Sequence, residues 1–138
     1  MDTTPARVML LAIGYQESAF LHRRQMGNGP ARGFWQFERG GGVVGVLNHP
    51  ASADLASHLC DVRRVPLVSE AVHAALETDD VLAVGFARLL LWTDRGPLPG
   101  VYDADDAWAY YLRNWRPGKP HPDKWAANHA KACELLGL

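Results

Sequence analysis

Ile13-Gly14-Tyr15-Gln16-Glu17-Ser18, read together with Gly33-Phe34-Trp35-Gln36-Phe37-Glu38, carries the reading of this fold. The first stretch ends an apolar run on a carboxylate and a hydroxyl. The second sets an amide and another carboxylate on a glycine-started aromatic segment. Upstream of Glu17, Thr4-Pro5 reads as a helix start, with Thr at the cap and Pro at the first helical position. A helix is predicted from Pro5 to about Phe20. Val8, Leu11, Ala12, Tyr15 and Ala19 form an apolar stripe, and Met9, Leu10 and Ile13 fill much of the other side. A helix apolar nearly all round is a buried one. Glu17 then lies near its C-terminal end, where the helix dipole and apolar neighbours both disfavour a negative charge. Its pKa is expected to rise. The expected arrangement holds Glu17 in a partly dry cleft, with Glu38 on the far side.

Downstream, His22 to Arg32 reads as a polar loop with Gly27, Gly29 and Pro30. His22, Arg23 and Arg24 form a small basic cluster, either solvated or in contact with an anionic substituent. Gly33 to Glu38 has the aromatics of a short strand, and one small β element is expected near Gly33 to Val46. Gly40-Gly41-Gly42 reads as a tight, mobile turn. No Gly-Lys-Ser/Thr follows it, so a phosphate loop is not expected. The remainder is helical in pattern. Helices are predicted from Pro50 to about Cys60, from Pro66 to about Leu76 and from Thr78 or Asp79 to about Trp92. Two more run from Asp103 or Asp105 to about Trp115 and from Pro122 to about Leu136, with Gly137 just past the end. No repeat or low-complexity tract interrupts the chain. The expectation is one mainly α domain over residues 1–138.

The chain's 138 residues suit a single domain, and 48% hydrophobic residues suffice for a core. Fourteen basic against fifteen acidic residues leave a net charge of -1. That balance gives no general case for a nucleic-acid partner. Cys60 and Cys133 fit no metal spacing and read as small buried thiols, though a disulfide between them stays open. His22, His49, His58, His73, His121 and His129 contain no HExxH pattern, and no nucleophile elbow is present. Val8 to Ile13 is too short and poorly flanked for a signal peptide. Val81 to Trp92 contains Arg88 and falls short of the ~20 residues of a membrane span. A protein made without its own export signal, and without stable membrane insertion, is expected.

The chemistry rests on few groups. An acid that protonates a leaving alcohol near neutral pH must stay protonated, which an apolar pocket favours. Ile13, Tyr15, Ala19 and Phe20 make such a pocket plausible for Glu17, although read alone it is as readily a helix-end surface glutamate. Glycoside hydrolysis commonly uses two carboxyl groups on opposite faces of the bond, and Glu38 is the candidate partner. It reads equally as a solvated residue before a glycine turn. Trp35, Phe34 and Phe37 offer rings for sugar faces or for the core. Gln36 offers an amide for an acetamido or hydroxyl group.

Together these residues resemble the goose-type lysozyme and lytic transglycosylase superfamily, in a small form like those of bacteriophages. Glu17-Ser18 matches that family's Glu-Ser at a helix end. Pro30-Ala31-Arg32-Gly33-Phe34-Trp35-Gln36 matches its Gly-Leu-Met-Gln after a small-residue loop, with Phe-Trp replacing Leu-Met. Ala109-Tyr110-Tyr111, then Asn114 and Pro117-Gly118, loosely match its later Ala-Tyr-Asn, so the choice between Tyr110 and Tyr111 stays open. The resemblance implies a lysozyme-like fold, mainly α, with a buried central N-terminal helix. It implies Glu17 as general acid, Ser18 in support, Trp35 and Gln36 at sugar subsites and Tyr110 or Tyr111 orienting Glu17. It requires no metal or organic cofactor. Glu38 stands where goose-type enzymes carry a carboxylate, two residues after the motif Gln, and tilts the expectation towards hydrolysis.

The implied partner is the peptidoglycan glycan strand, cut between N-acetylmuramic acid and N-acetylglucosamine. The implied setting is a phage endolysin or a virion-associated lysin, monomeric, held in the host cytoplasm until lysis or carried on the particle. The rivals are a lytic transglycosylase and a non-catalytic wall-binding or phage structural module.

Overall fold

A computed structural model describes every residue from Met1 to Leu138. The chain is mainly helical: α1 Thr4–Ser18, a π turn Arg39–Val43, α2 Val44–Asn48, α3 Ala53–Val62, α4 Ser69–Leu76, α5 Asp80–Trp92, α6 Ala104–Trp115 and α7 Pro122–Leu135. None of these helices is long and apolar enough to cross a membrane. Two compact units share the chain, Met1–Gln16 with Gly96–Leu138 as one and Glu17–Arg95 as the other. Helix α1 therefore gives most of its length to the first unit and its last two residues to the second.

In the first unit the helix starts follow local rules. Thr3, one residue before the expected cap, accepts the Ala6 N–H at 3.3 Å, so Pro5 lies inside the first turn rather than at its first position. Asp103 caps α6 by accepting from the Asp106 N–H at 3.0 Å, and Pro122 opens α7. Gly137, at φ 71°, lets the Leu138 N–H turn back to the Cys133 carbonyl at 3.1 Å. The core of α6 and α7 is aromatic. Tyr111 stacks on Trp125 with centroids 5.1 Å apart and planes 11° apart, and Trp108 lies 5.3 Å from Tyr111 and 5.5 Å from Trp125. The Trp125 indole N–H, buried, donates to the Ala104 carbonyl at 2.8 Å. On α1, Gln16 donates to the His121 carbonyl at 3.0 Å and accepts from Asn128 at 2.8 Å, which fastens the helix to the start and middle of α7.

The second unit is built on α5. Leu82, Ala83, Phe86, Ala87, Leu89 and Leu91 are buried, and α3, α4 and α2 pack against it. Asp79 caps α5 through the Leu82 N–H at 3.0 Å. Helices α3 and α4 start three residues later than their prolines suggested. Pro50 leads instead into a turn in which the buried Ser52 hydroxyl donates to the Val46 carbonyl at 2.7 Å.

Two expectations need correction here. The small β element is not a strand: only isolated bridges form, Arg24 with Arg32 and Arg32 with Phe37. Arg32 and Phe37 exchange both backbone hydrogen bonds at 3.0 Å around a four-residue turn, Gly33 to Gln36. The Glu38 carbonyl then accepts from Val43 rather than extending the ladder. The glycine run, expected as a tight turn, is a π turn leading directly into α2. Gly42 is required there by close approach, because a Cβ would meet the Phe37 ring at 2.6 Å.

Burial along α1 also departs from the predicted stripe. Val8, Met9, Ala12 and Ile13 are buried, whereas Leu11 and Tyr15 are half-buried and Ala19 is exposed beyond the helix end. Cys60 and Cys133 are buried free thiols, one in each unit, and burial raises the pKa of both.

Candidate active site

Glu17 is the penultimate residue of α1 and is half-buried. Ser18 ends the helix and is 4% exposed. Its hydroxyl donates to the Phe34 carbonyl at 2.7 Å and accepts from the Phe20 N–H at 3.2 Å. The helix stops because Ala19 and Phe20 both take the left-handed conformation, each at φ 53°. The Leu21 and His22 N–H groups then return to the Ser18 carbonyl at 2.9 and 3.3 Å. Non-glycine residues in that region cost of order 1–3 kcal/mol each and persist only where their surroundings over-determine them. The Ser18 hydroxyl, bonded on both sides, is one such determinant.

The second motif is a turn closed by unusual backbone at each end. Gly33 lies at φ 76° and Gln36 at φ 52°. A Cβ on Gly33 would meet the Leu76 carbonyl oxygen at 2.5 Å, so only glycine fits. The Gln36 side chain folds back, its Nε2 donating to the Gly33 carbonyl at 2.9 Å. The amide expected to meet a ligand thus commits one of its two N–H donors inside the turn and keeps Oε1 as an acceptor. Trp35 is 6% exposed, with Phe20 edge-on at 5.6 Å, so its ring is chiefly a packing element. Phe34 and Phe20 are only half-buried, 5.5 Å apart and edge-on. Phe37 is buried against Phe86. Glu38, next in line, is exposed and begins the π turn without a side-chain cap.

The structure brings Glu17, Ser18, Phe34 and Gln36 into one connected set through the Ser18–Phe34 and Gln36–Gly33 hydrogen bonds. Tyr110 and Tyr111 belong to the other unit. Tyr110 is 1% exposed and lies under the Arg113 guanidinium at 4.3 Å, while Tyr111 is embedded in the aromatic stack with Trp125.

The two arginines of the basic cluster are engaged with acidic and carbonyl groups of their own unit. Arg23 forks onto Asp80 at 2.6 and 2.9 Å and also donates to the Glu77 carbonyl at 3.0 Å. Arg24 pairs with the Glu77 carboxylate and holds its pKa below the ordinary range. Of the two readings left open, solvated charge or contact with an anionic substituent, neither included what is found: the arginine charges meet carboxylates on the α4–α5 junction. Reading the sequence missed this junction, together with the His73 imidazole, whose Nε2 lies 2.8 Å from the Pro30 carbonyl. Glu77 and Asp80 flank the Thr78–Asp79 cap region, and nothing local marks them as partners of residues more than fifty positions away.

No three or more His, Cys, Asp or Glu side chains come together as a metal site. Compared with protein-family models, curated proteins and solved structures, the chain matches none.

Proposed function

We propose that this chain is a peptidoglycan-cleaving glycosidase of the lysozyme-like type, a muramidase acting on the β-1,4 bond between N-acetylmuramic acid and N-acetylglucosamine. The observation that carries the reading is the 2.7 Å hydrogen bond from Ser18 to the Phe34 carbonyl. It joins the two stretches on which the family resemblance rests, across sixteen residues of chain. Glu17, half-buried at the end of an apolar helix, protonates the leaving oxygen as oxocarbenium-like charge develops. Glu38 activates water on the opposite face, with inversion. Gln36 offers its acceptor oxygen to the sugar. The proposed setting is a phage endolysin or a virion-associated lysin.

One observation favours a second reading. Glu38 is exposed and precedes a glycine run, an open setting for a general base. A lytic transglycosylase would dispense with it: Glu17 serves as acid and then base, and the muramic 6-hydroxyl displaces the leaving group to give a 1,6-anhydro end. Digestion of purified peptidoglycan followed by mass spectrometry separates the two, since the ends differ by one water. The hydrolase predicts reducing ends and loss of most turnover in Glu38→Gln, with the two carboxyls roughly 6.5–9.5 Å apart across the bound sugar. Anhydro ends from a fully active Glu38→Gln protein would replace the hydrolase with the transglycosylase. Absence of any cleavage by the folded protein would discard both.

A further inference from the structure

Between the end of α1 and the start of α5 runs a continuous polar and aromatic link, and Arg23 is its central member. The guanidinium lies 4.3 Å from the centroid of the Phe34 ring while it forks onto Asp80, the first residue of α5. The backbone of the same residue holds the other end of the turn, its carbonyl accepting the Gly33 N–H at 2.7 Å. The carbonyl of Phe34 accepts the Ser18 hydroxyl. Arg23 thus grips the Gly33–Gln36 turn twice, by backbone and by side chain, and the turn grips the end of α1.

The anchor at the far end is firm. Asp79 caps α5 and pairs with Arg63 at 2.9 Å, and α5 is the buried centre of its unit. A half-exposed ion pair such as Arg23–Asp80 contributes little to global stability. Its fork geometry, by contrast, fixes the direction of the guanidinium plane, as a lysine would not. What that plane meets is the ring of the residue whose carbonyl holds Ser18.

We infer that Arg23 is a positioning residue: anchored on Asp80, it sets Phe34, and through the Phe34–Ser18 hydrogen bond it sets the Glu17 end of α1. Its catalytic consequence rests on the glycosidase reading; its structural consequence does not. A displacement of about 1 Å at an acid can cost on the order of 10²-fold in rate.

The test uses Arg23→Met, which keeps an apolar stem near Phe34 and loses the fork, then Asp80→Asn, which leaves Arg23 in place, and then the double variant. Two measurements are made on each. Amide hydrogen exchange follows the Gly33 and Phe20 N–H groups, which bond to Arg23 and Ser18. Turnover is measured on soluble, uncross-linked peptidoglycan strands. Exchange at Gly33 and Phe20 is expected to speed up about tenfold in both single variants, with α5 amides unchanged, as for a local opening. The kcat is expected to fall about 10- to 10²-fold with KM within a few-fold. The double variant should lose no more than the worse single, because both act through one link. Arg23→Lys should not restore kcat.

Unchanged exchange at Gly33 and Phe20 in both single variants would overturn the inference, whatever the assay reads. Faster exchange with wild-type kcat would overturn the connection to Glu17. A wild type that releases no reducing or anhydro ends would overturn the glycosidase reading instead, and exchange alone would then decide the role of Arg23.

Discussion

The end of α1 and the α6–α7 pair solve opposite problems by opposite means. At the end of α1, polar groups are ordered by other polar groups: a serine hydroxyl with two partners, a glutamine folded onto its own turn, and left-handed backbone at Ala19, Phe20 and Gln36. Between α6 and α7, order comes from ring burial, with Tyr111 and Trp125 stacked and Trp108 against both. The first region carries strained backbone for the sake of orientation. The second buries large apolar area, which is where stability resides. The difference implies that damage to the two regions should be separable: loss of function without unfolding in one, unfolding in the other.

Glu17→Gln puts that separation under the most demanding test. It keeps shape and removes the proton, so turnover should fall about 10²–10⁴-fold with a near-wild-type melting temperature. Normal lysis by the folded variant would remove Glu17 from the chemistry. Next in size is Trp125→Ala. It deletes a buried ring and its hydrogen bond to the Ala104 carbonyl, and should cost about 3–5 kcal/mol in denaturant unfolding. A shift of the urea midpoint no larger than that of a surface substitution would mean that the stack is not where stability resides.

Gly33→Ala tests whether the first region is as insensitive globally as claimed. Its Cβ would meet the Leu76 carbonyl oxygen at 2.5 Å, in a backbone conformation at φ 76°. A loss of about 1–3 kcal/mol is expected, with turnover falling further than the stability loss alone would produce. Parallel loss of both would erase the distinction.

The smallest effect is a pH dependence in the aromatic region. His129 on α7 is 4% exposed, 6.3 Å from the Trp125 ring, and its Nε2 is buried without a hydrogen-bond partner. Burial lowers its pKa, with Asp103 opposing part of the change. The unfolded chain therefore takes up the proton first as pH falls below about 6.5. The stability from neutral burial is present above that pH and is lost below it, down to the folded pKa, the loss growing by about 1.4 kcal/mol per pH unit across that window. Melting temperatures of the wild type and His129→Leu between about pH 7.5 and about pH 5, which spans the ordinary histidine range, check this, the variant losing the histidine's share of the slope. Equal slopes would show that His129 titrates normally.

Much of the helical frame was legible because helix ends are set by local chemistry. Asp79, Asp103 and Pro122 each mark a helix start within a residue or two, and Gly137 marks an end. Pro50 and Pro66 misled by three residues, since a proline is compatible with a turn before a helix as well as with its first turn. The glycine run was misread because glycine carries no side-chain signal. What makes Gly40-Gly41-Gly42 helical is the Phe37 ring over Gly42 and the Val43 N–H returning to Glu38.

The candidate site divides in the same way. Residue chemistry offered Glu17, Gln36 and Glu38 as candidates beside ordinary surface readings, and Ser18 entered only through the family resemblance. Residue identity could not say that Trp35 would be buried, that Gln36 would commit one amide N–H to Gly33, or that Arg23 and Arg24 would face Asp80 and Glu77. The arginine pairings depend on which distant groups come within reach, a matter of chain path, whereas the Gln36–Gly33 bond is local but exists only because the segment folds as a turn and not as a strand. The helical period, the caps and the inventory of reactive groups were written in the order of the amino acids, since they follow from side-chain chemistry over a few residues. Which of those groups are consumed in holding the turn, and which keep an atom for a ligand, was settled by folding, because that choice depends on how the end of α1, the Gly33–Gln36 turn and the start of α5 are brought together.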